Sequence, residues 1–233
     1  MSFGYQVLGF GAFTAAPSVA TVSFASTTED EVNRTNYTFS SQSIGTAAAD
    51  RKVVVVINAS GGSTQDITGC TIGGSAATEE QSSGVQGETR NAIYSLNSVS
   101  SGTTAEIVVT QGGNAGVIMI AVFAVYGASA TKNASGTQKG TGISPSISTA
   151  VPANGVIIAG SCAAHSSGSA SNAVSFTNIT ERAEYGGDPP EGPGFVAGAA
   201  SDAYENAATI SVDSAFNGPN SATVSCAVSY GPA

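Results

Sequence analysis

Tryptophan is absent from this 233-residue chain, leucine occurs only at Leu8 and Leu96, and charged residues make up 10% of it. The apolar content is Val, Ile, Ala, Phe and Tyr instead. β-Branched and aromatic side chains pack well on a pleated surface and lose rotamer freedom in a helix. The 29 glycines, with abundant Ser, Thr and Asn, supply turns between short strands. The chain reads as all-β.

The seven basic residues are Arg34, Arg51, Lys52, Arg90, Lys132, Lys139 and Arg182, against 16 acids, for a net charge of −9. They form no stripe that could neutralise phosphates, so the pattern argues against nucleic acid and against anionic membranes. No run approaches the roughly 18 apolar residues of a membrane helix. The N-terminal stretch is apolar, but its Gly and aromatic residues are unlike the continuous core of a secretory signal. The three cysteines, Cys70, Cys162 and Cys226, show no CxxC or His/Cys clustering, so zinc has no support. They read as small buried hydrophobes, with a Cys162–Cys226 bridge open if their strands are neighbours.

What is present is an internal repeat. The segments beginning at Asn91, Ala105 and Val117 recur, at a near-constant offset, as those beginning at Phe195, Ala208 and Ser221. Tyr126-Gly127 returns as Tyr230-Gly231. Repetition fixes architecture before any motif is read. It predicts two tandem related β-sandwich lobes, jelly-roll or immunoglobulin-like, preceded by an N-terminal arm. The expected boundaries are 1–36 for the arm, 37–131 for the first lobe and 132–233 for the second. Lys132 to Gly142 reads as the connector. Glu181 to Gly194, with three prolines, reads as a surface loop.

The last segment of each copy predicts which face is buried. Ala222, Val224, Cys226, Val228 and Tyr230 alternate with Ser and Thr, the pattern of a strand with one wet face. In the first copy Ile118, Ile120, Val122, Ala124 and Tyr126 correspond to that inward set. Their alternates Val117, Met119, Phe123 and Val125 are apolar too, so a second cover is expected: the other lobe, the arm or another subunit.

Chemistry has little to stand on. His165 is the only histidine, and no GxSxG elbow accompanies it. Glu181, Glu184, Asp188 and Glu191 could in principle pair for glycoside hydrolysis, but a solvated acidic loop is the plainer reading. Glu29-Asp30-Glu31 and Asp188/Glu191 match no calcium-loop spacing. The reading is of a non-enzyme without cofactor or metal.

The stretches Tyr37-Thr-Phe-Ser-Ser-Gln-Ser-Ile-Gly45 to Val53-Val-Val55, Val122-Phe-Ala-Val-Tyr-Gly127 and the opening Met1-Ser-Phe-Gly-Tyr-Gln-Val-Leu-Gly-Phe-Gly11 carry a resemblance. The chain resembles a family of tailed-bacteriophage virion structural proteins, many of them marine. That resemblance implies a virion location, as a capsid decoration or cement, a head fibre or a tail-associated component. It also implies other virion proteins as partners and assembly as a homo-oligomer. The expected partner interface is Phe3, Tyr5, Val7, Leu8, Phe10 and Phe13 of the arm, with Val117, Met119, Phe123 and Val125. The alternative is a host-attachment module, in which Tyr185, Asp188, Glu191 and Phe195 form an outward loop that recognises a surface glycan.

Overall fold

The computed structural model describes residues 18–61, 66–141, 144–165, 173–187, 194–216 and 220–233. Among these residues there is no helix. The first half holds β1 (Thr21–Asp30), β2 (Arg34–Ser43), β3 (Lys52–Ser60), β4 (Ile67–Ile72), β5 (Ser75–Ala76), β6 (Thr78–Gln86), β7 (Thr89–Leu96), β8 (Thr104–Ala115) and β9 (Val117–Tyr126). The second holds β10 (Ala134–Gly140), β11 (Ser146–Val151), β12 (Gly155–His165), β13 (Val174–Thr177), β14 (Glu181–Gly187), β15 (Gly194–Tyr204), β16 (Ala208–Phe216) and β17 (Asn220–Tyr230).

Four antiparallel sheets result. Sheet I runs β1-β9-β3-β7-β6 and sheet II runs β2-β8-β4-β5. Sheet III runs β10-β17-β12-β15-β14 and sheet IV runs β11-β16-β13. Exchange each strand of the first half for its counterpart in the second, and sheet I becomes sheet III. Sheet II becomes sheet IV, less the two-residue β5.

Three apolar interiors separate the four sheets. Between sheets II and I lie Tyr37, Phe39, Ile107 and Val109 against Val53, Val55, Ile57 and Val122. Between sheets I and III lie Val54, Val56, Met119 and Phe123 against Val156, Ile158, Phe195 and Val228. Ile157, Ala159 and Ala227 face Ile147, Val151 and Val212 between sheets III and IV. This layering explains β3, a run of valines buried at every position. A strand covered on both faces needs no polar alternation. Each such side chain is stabilised by about 1.5–3 kcal/mol on leaving water.

Sheets I and III are laid over each other in reversed order. β1 lies on β14 and β15, β3 on β12, β7 on β12 and β17, and β6 on β17 and β10. Their strands also run the same way. Lys52, at the start of β3, sits on Tyr230, which is near Val156 at the start of β12. At the far end a Cβ on Gly87 would touch Ala222, whose neighbour is Ala164 near the end of β12. Reversed order with preserved direction is an approximate twofold rotation about an axis along the strands.

Several sequence expectations are corrected. Residues 21–30 are not part of an arm; they form the edge of sheet I, paired along their length with β9. The expected connector contains β10, which pairs with β17, and the expected proline loop begins as β14, which pairs with β15. All three are edge strands with little apolar alternation to reveal them. The supposedly wet face of β17 is buried: Thr223, Ser225 and Ser229 are at most 3% exposed. Val224, Cys226, Val228 and Tyr230 face sheet I, not sheet IV. Aligning the two Tyr-Gly pairs is therefore one residue out of structural register, and a slip of one turns every side chain to the other face. Tyr126 points away from sheet III and donates to Thr46 O at 2.9 Å, whereas Tyr230 points into the interior between sheets I and III.

At the end where β1, β3 and β12 start, Ser18 Oγ donates to Ala233 O at 2.5 Å, and Ala20 N donates to Asn154 O at 2.9 Å. Gly127, at φ +62°, lets Val19 O approach to 2.7 Å from where a Cβ would stand.

Candidate functional site

The apolar face expected to meet a partner is inside the molecule. Val117, Met119, Phe123 and Val125 are 0% exposed, covered by sheet III of the same chain. They are removed from the partner interface. Phe3, Tyr5, Val7, Leu8, Phe10 and Phe13 lie outside the described residues, as do Asp188 and Glu191.

Of the remaining recognition-loop residues, Phe195 is corrected as well. It is fully buried, with its ring centroid 5.8 Å from that of Tyr185. Tyr185 is half-buried and donates its hydroxyl to Glu31 Oε1. That bond joins the acidic turn after β1 to strand β14, across sheets I and III.

Sequence reasoning missed three buried cations, Arg51 and Lys52 at the start of β3 and Arg90 at its far end, of which Lys52 lies in a polar cluster with Tyr230, Glu80 and Ser95. Arg51 and Arg90 are fully buried and Lys52 is 2% exposed. Arg51 donates to Val99, Gly45, Ser101 and Gly102 carbonyls at 2.7–2.9 Å, clamping two loops at one end of sheet I. Arg90 donates to Gln111 Oε1 at 2.6 Å and to the Glu88 carbonyl at 3.1 Å. Lys52 Nζ donates to Ala130 O at 2.9 Å and lies 3.7 Å from the centroid of the Tyr230 ring.

Burial lowers the Lys52 ammonium to about 8, with nearby Glu80 acting in the opposite sense. Glu80 accepts from Ser95 Oγ at 2.5 Å, and its carbonyl accepts from Lys132 Nζ. The Tyr230 hydroxyl is buried beside Ser95 and Glu80 without a hydrogen bond of ordinary geometry, and burial raises its pKa. The only sequence signal for this cluster was cations flanking uniformly apolar strands.

Among the described residues, the candidate acids and hydroxyls are engaged in local contacts. Glu181 is raised by partial burial and by neighbouring Glu184, while Glu184 Oε1 accepts from Val174 N at 3.1 Å. Ser161 Oγ lies 2.8 Å from Ser214 Oγ and 2.5 Å from Ser225 Oγ. These three hydroxyls satisfy one another between sheets III and IV, which is how a serine-bearing face is buried without an orphaned group. His165 closes the backbone of β12. Among the described residues no group of three His, Cys, Asp or Glu side chains could hold a metal ion. All three cysteines are free and buried. Cys162 and Cys226 sit on paired strands but are not opposite each other, and each thiol donates to a carbonyl of β7, Arg90 O or Asn91 O, at 3.4 Å.

Two features of the described outer surface could meet a ligand or partner. A cavity of about 380 Å³ opens at one end of the sheet I–II pair, lined by Ile44, Ile72, Leu96, Asn97, Val99 and Thr104 among others. Its hydroxyl and amide groups carry no charge to select a ligand. The second feature is edge strand β1. The exposed large apolar side chains among the described residues are Val19, Phe24 and Val32, at 55, 36 and 56% exposure, all in or beside this strand. Phe24 packs edge-on against Phe123, ring centroids 5.7 Å apart, so it is the visible rim of the I–III interior. A bulge between Phe24 and Ser26 and the Arg34–Asp30 ion pair at 3.3 Å shape the strand and its far end. Bulges and charges are how sheet edges are ordinarily protected from pairing. Compared with known proteins, the chain matches no family model, no curated protein and no solved structure.

Proposed function

We propose that this chain is a non-enzymatic structural protein of a tailed-phage virion, a capsid decoration, cement or head-fibre component. It is built as two related sandwich-like lobes stacked through sheets I and III, and residues 1–17 anchor it. The observation that carries this reading is the placement of apolar surface. The large apolar face of β9 is covered inside the chain by sheet III. Among the described residues the exposed large apolar side chains are Val19, Phe24 and Val32, and Val19 lies two residues after the uncharged stretch 1–17 in sequence. A protein working by contact needs such an attachment element, and the rest of its surface can be polar and inert.

The host-attachment alternative has less support, because Phe195 is buried and Tyr185 is engaged by Glu31. A phage carrying the gene deleted for residues 1–13 tests the leading reading. The particles are expected to lack the protein while the purified variant keeps its β-sheet circular dichroism. Normal incorporation of that variant would overturn the anchoring role. Binding to a glycan array, lost on changing Tyr185 to Ala, would favour the alternative.

A further inference from the structure

We propose that Lys52 and Asn97 join in an amide bond, a covalent tie formed within the chain between β3 and the residue that follows β7. Val53 pairs with Leu96, so the next step of the same register sets Lys52 across from Asn97. Directly opposed residues of an antiparallel pair point to one face, with Cβ atoms about 5 Å apart. That face is the one turned to sheet III, where Val54 and Ile93 also lie. Both side-chain nitrogens reach a single acceptor. Lys52 Nζ donates to Ala130 O at 2.9 Å, and Asn97 Nδ2 donates to the same oxygen at 3.2 Å. An amine and a primary carboxamide gathered on one oxygen are the reactants of a transamidation, and their encounter no longer costs translational freedom.

The surroundings suit the nucleophile. Lys52 is 2% exposed, with the Tyr230 ring over its ammonium. Burial lowers that ammonium to about 8, so mildly alkaline solution supplies the neutral amine. Glu80 is the carboxylate whose charge acts on Lys52. It is buried, and it accepts from Ser95 Oγ, on the face of β7 that continues to Asn97. Asn97 itself is exposed, which gives ammonia a path to solvent. Neutral Lys52 Nζ attacks Asn97 Cγ, and the Nζ–Cγ bond forms. Glu80 takes one proton from Nζ and returns it to Nδ2; the Cγ–Nδ2 bond then breaks and ammonia leaves. Nothing is oxidised or reduced, and no co-reactant is consumed. The three thiols are free, so this amide is the tie across strands that the cysteines do not make. It closes the chain between residues 52 and 97 and restricts the unfolded state as a disulfide of that span does.

The test is mass spectrometry of the full-length protein, taken fresh, while Lys52 is still a free amine, and through incubation at pH 9. Wild type is expected to lose the mass of one ammonia with time. Its tryptic digest should then contain residues 52–90 joined to residues 91–132 through Lys52 and Asn97. Lys52→Arg and Asn97→Ala should keep their full mass and give no joined peptide. Asn97 is exposed, so Asn97→Ala should also keep the wild-type circular dichroism spectrum. Glu80→Gln should react at least about tenfold more slowly. A cyclic imide at Asn97 would lose ammonia too, but hydroxylamine cleaves the imide and spares the amide. Wild type that keeps its full mass, ammonia loss that persists in Lys52→Arg, or a joined peptide that persists in Asn97→Ala would overturn the proposal. A wild-type rate in Glu80→Gln would overturn the proton transfer assigned to Glu80.

Discussion

The Lys52 ammonium lies 3.7 Å from the centroid of the Tyr230 ring, seating a cation of the first half against the last strand of the second. Cation–π attraction and the bond to Ala130 O offset part of the cost of removing that charge from water. The remainder is visible in the lowered pKa, about 8 against an ordinary 10.5.

A pH dependence follows from that difference. The unfolded chain holds the Lys52 proton up to its ordinary pKa, and the folded chain releases it near 8. Lys52 therefore contributes stability at high pH that is lost as pH falls from 10.5 through 8. The difference in unfolding free energy between wild type and Lys52→Met should rise by roughly 1–3 kcal/mol from pH 8 to pH 10. Using the variant as reference cancels the buried tyrosines, whose raised pKa values act in the opposite direction above pH 10. Urea titrations at four pH values measure it, and a flat difference would remove Lys52 from the explanation.

Gly160 is a point of close approach between sheets I and III. A Cβ there would stand 2.3 Å from Val56 Cγ1 and 2.7 Å from Asn91 Nδ2. Gly160→Val should destabilise by about 1–3 kcal/mol through overpacking. Gly140→Ala, where a Cβ meets nothing within 4 Å, should change stability by less than about 0.5 kcal/mol. Chemical denaturation of the pair measures the cost of filling the space between the sheets.

The thiols give a reporter of separation between the halves. Burial raises the pKa of all three, to about 12 for Cys70 and Cys226, so they should not react with a disulfide reagent in the folded protein at pH 8. Cys162 and Cys226 share the I–III interior, whereas Cys70 belongs to the I–II interior. In rising urea, Cys162 and Cys226 should become reactive at one midpoint. Labelling of one without the other, mapped by mass spectrometry, would contradict a shared interior.

Cutting the chain between Thr131 and Lys132 leaves each half with its own pair of sheets and one uncovered apolar face. Co-expressed halves should copurify, and either half alone should aggregate. Two soluble, non-interacting halves would mean that the I–III contact contributes little.

Strand positions were largely legible because β-branched runs such as Val53 to Ile57 have few other uses. The edges β10 and β14 were not, since a strand paired on one side and half in water needs no apolar period. The faces of β17 were misjudged for a different reason. Serine normally signals solvent, but Ser161, Ser214 and Ser225 bond to one another, which makes a hydroxyl face compatible with burial. Cover over Val117 to Val125 was foreseen, with the other half among the options. The ionic cluster around Lys52 was not legible, because its members come from β3, β6, β7 and β17 and only folding brings them together.

The seat of Ser18 to Ala20 on Asn154, Gly127 and Ala233 has a mechanical consequence. Tension applied through residues 1–17 enters where both halves meet, not at the end of one hairpin. A tug on the tail is therefore shared between the frameworks on either side of the twofold axis, instead of peeling β1 from β9 one bond at a time.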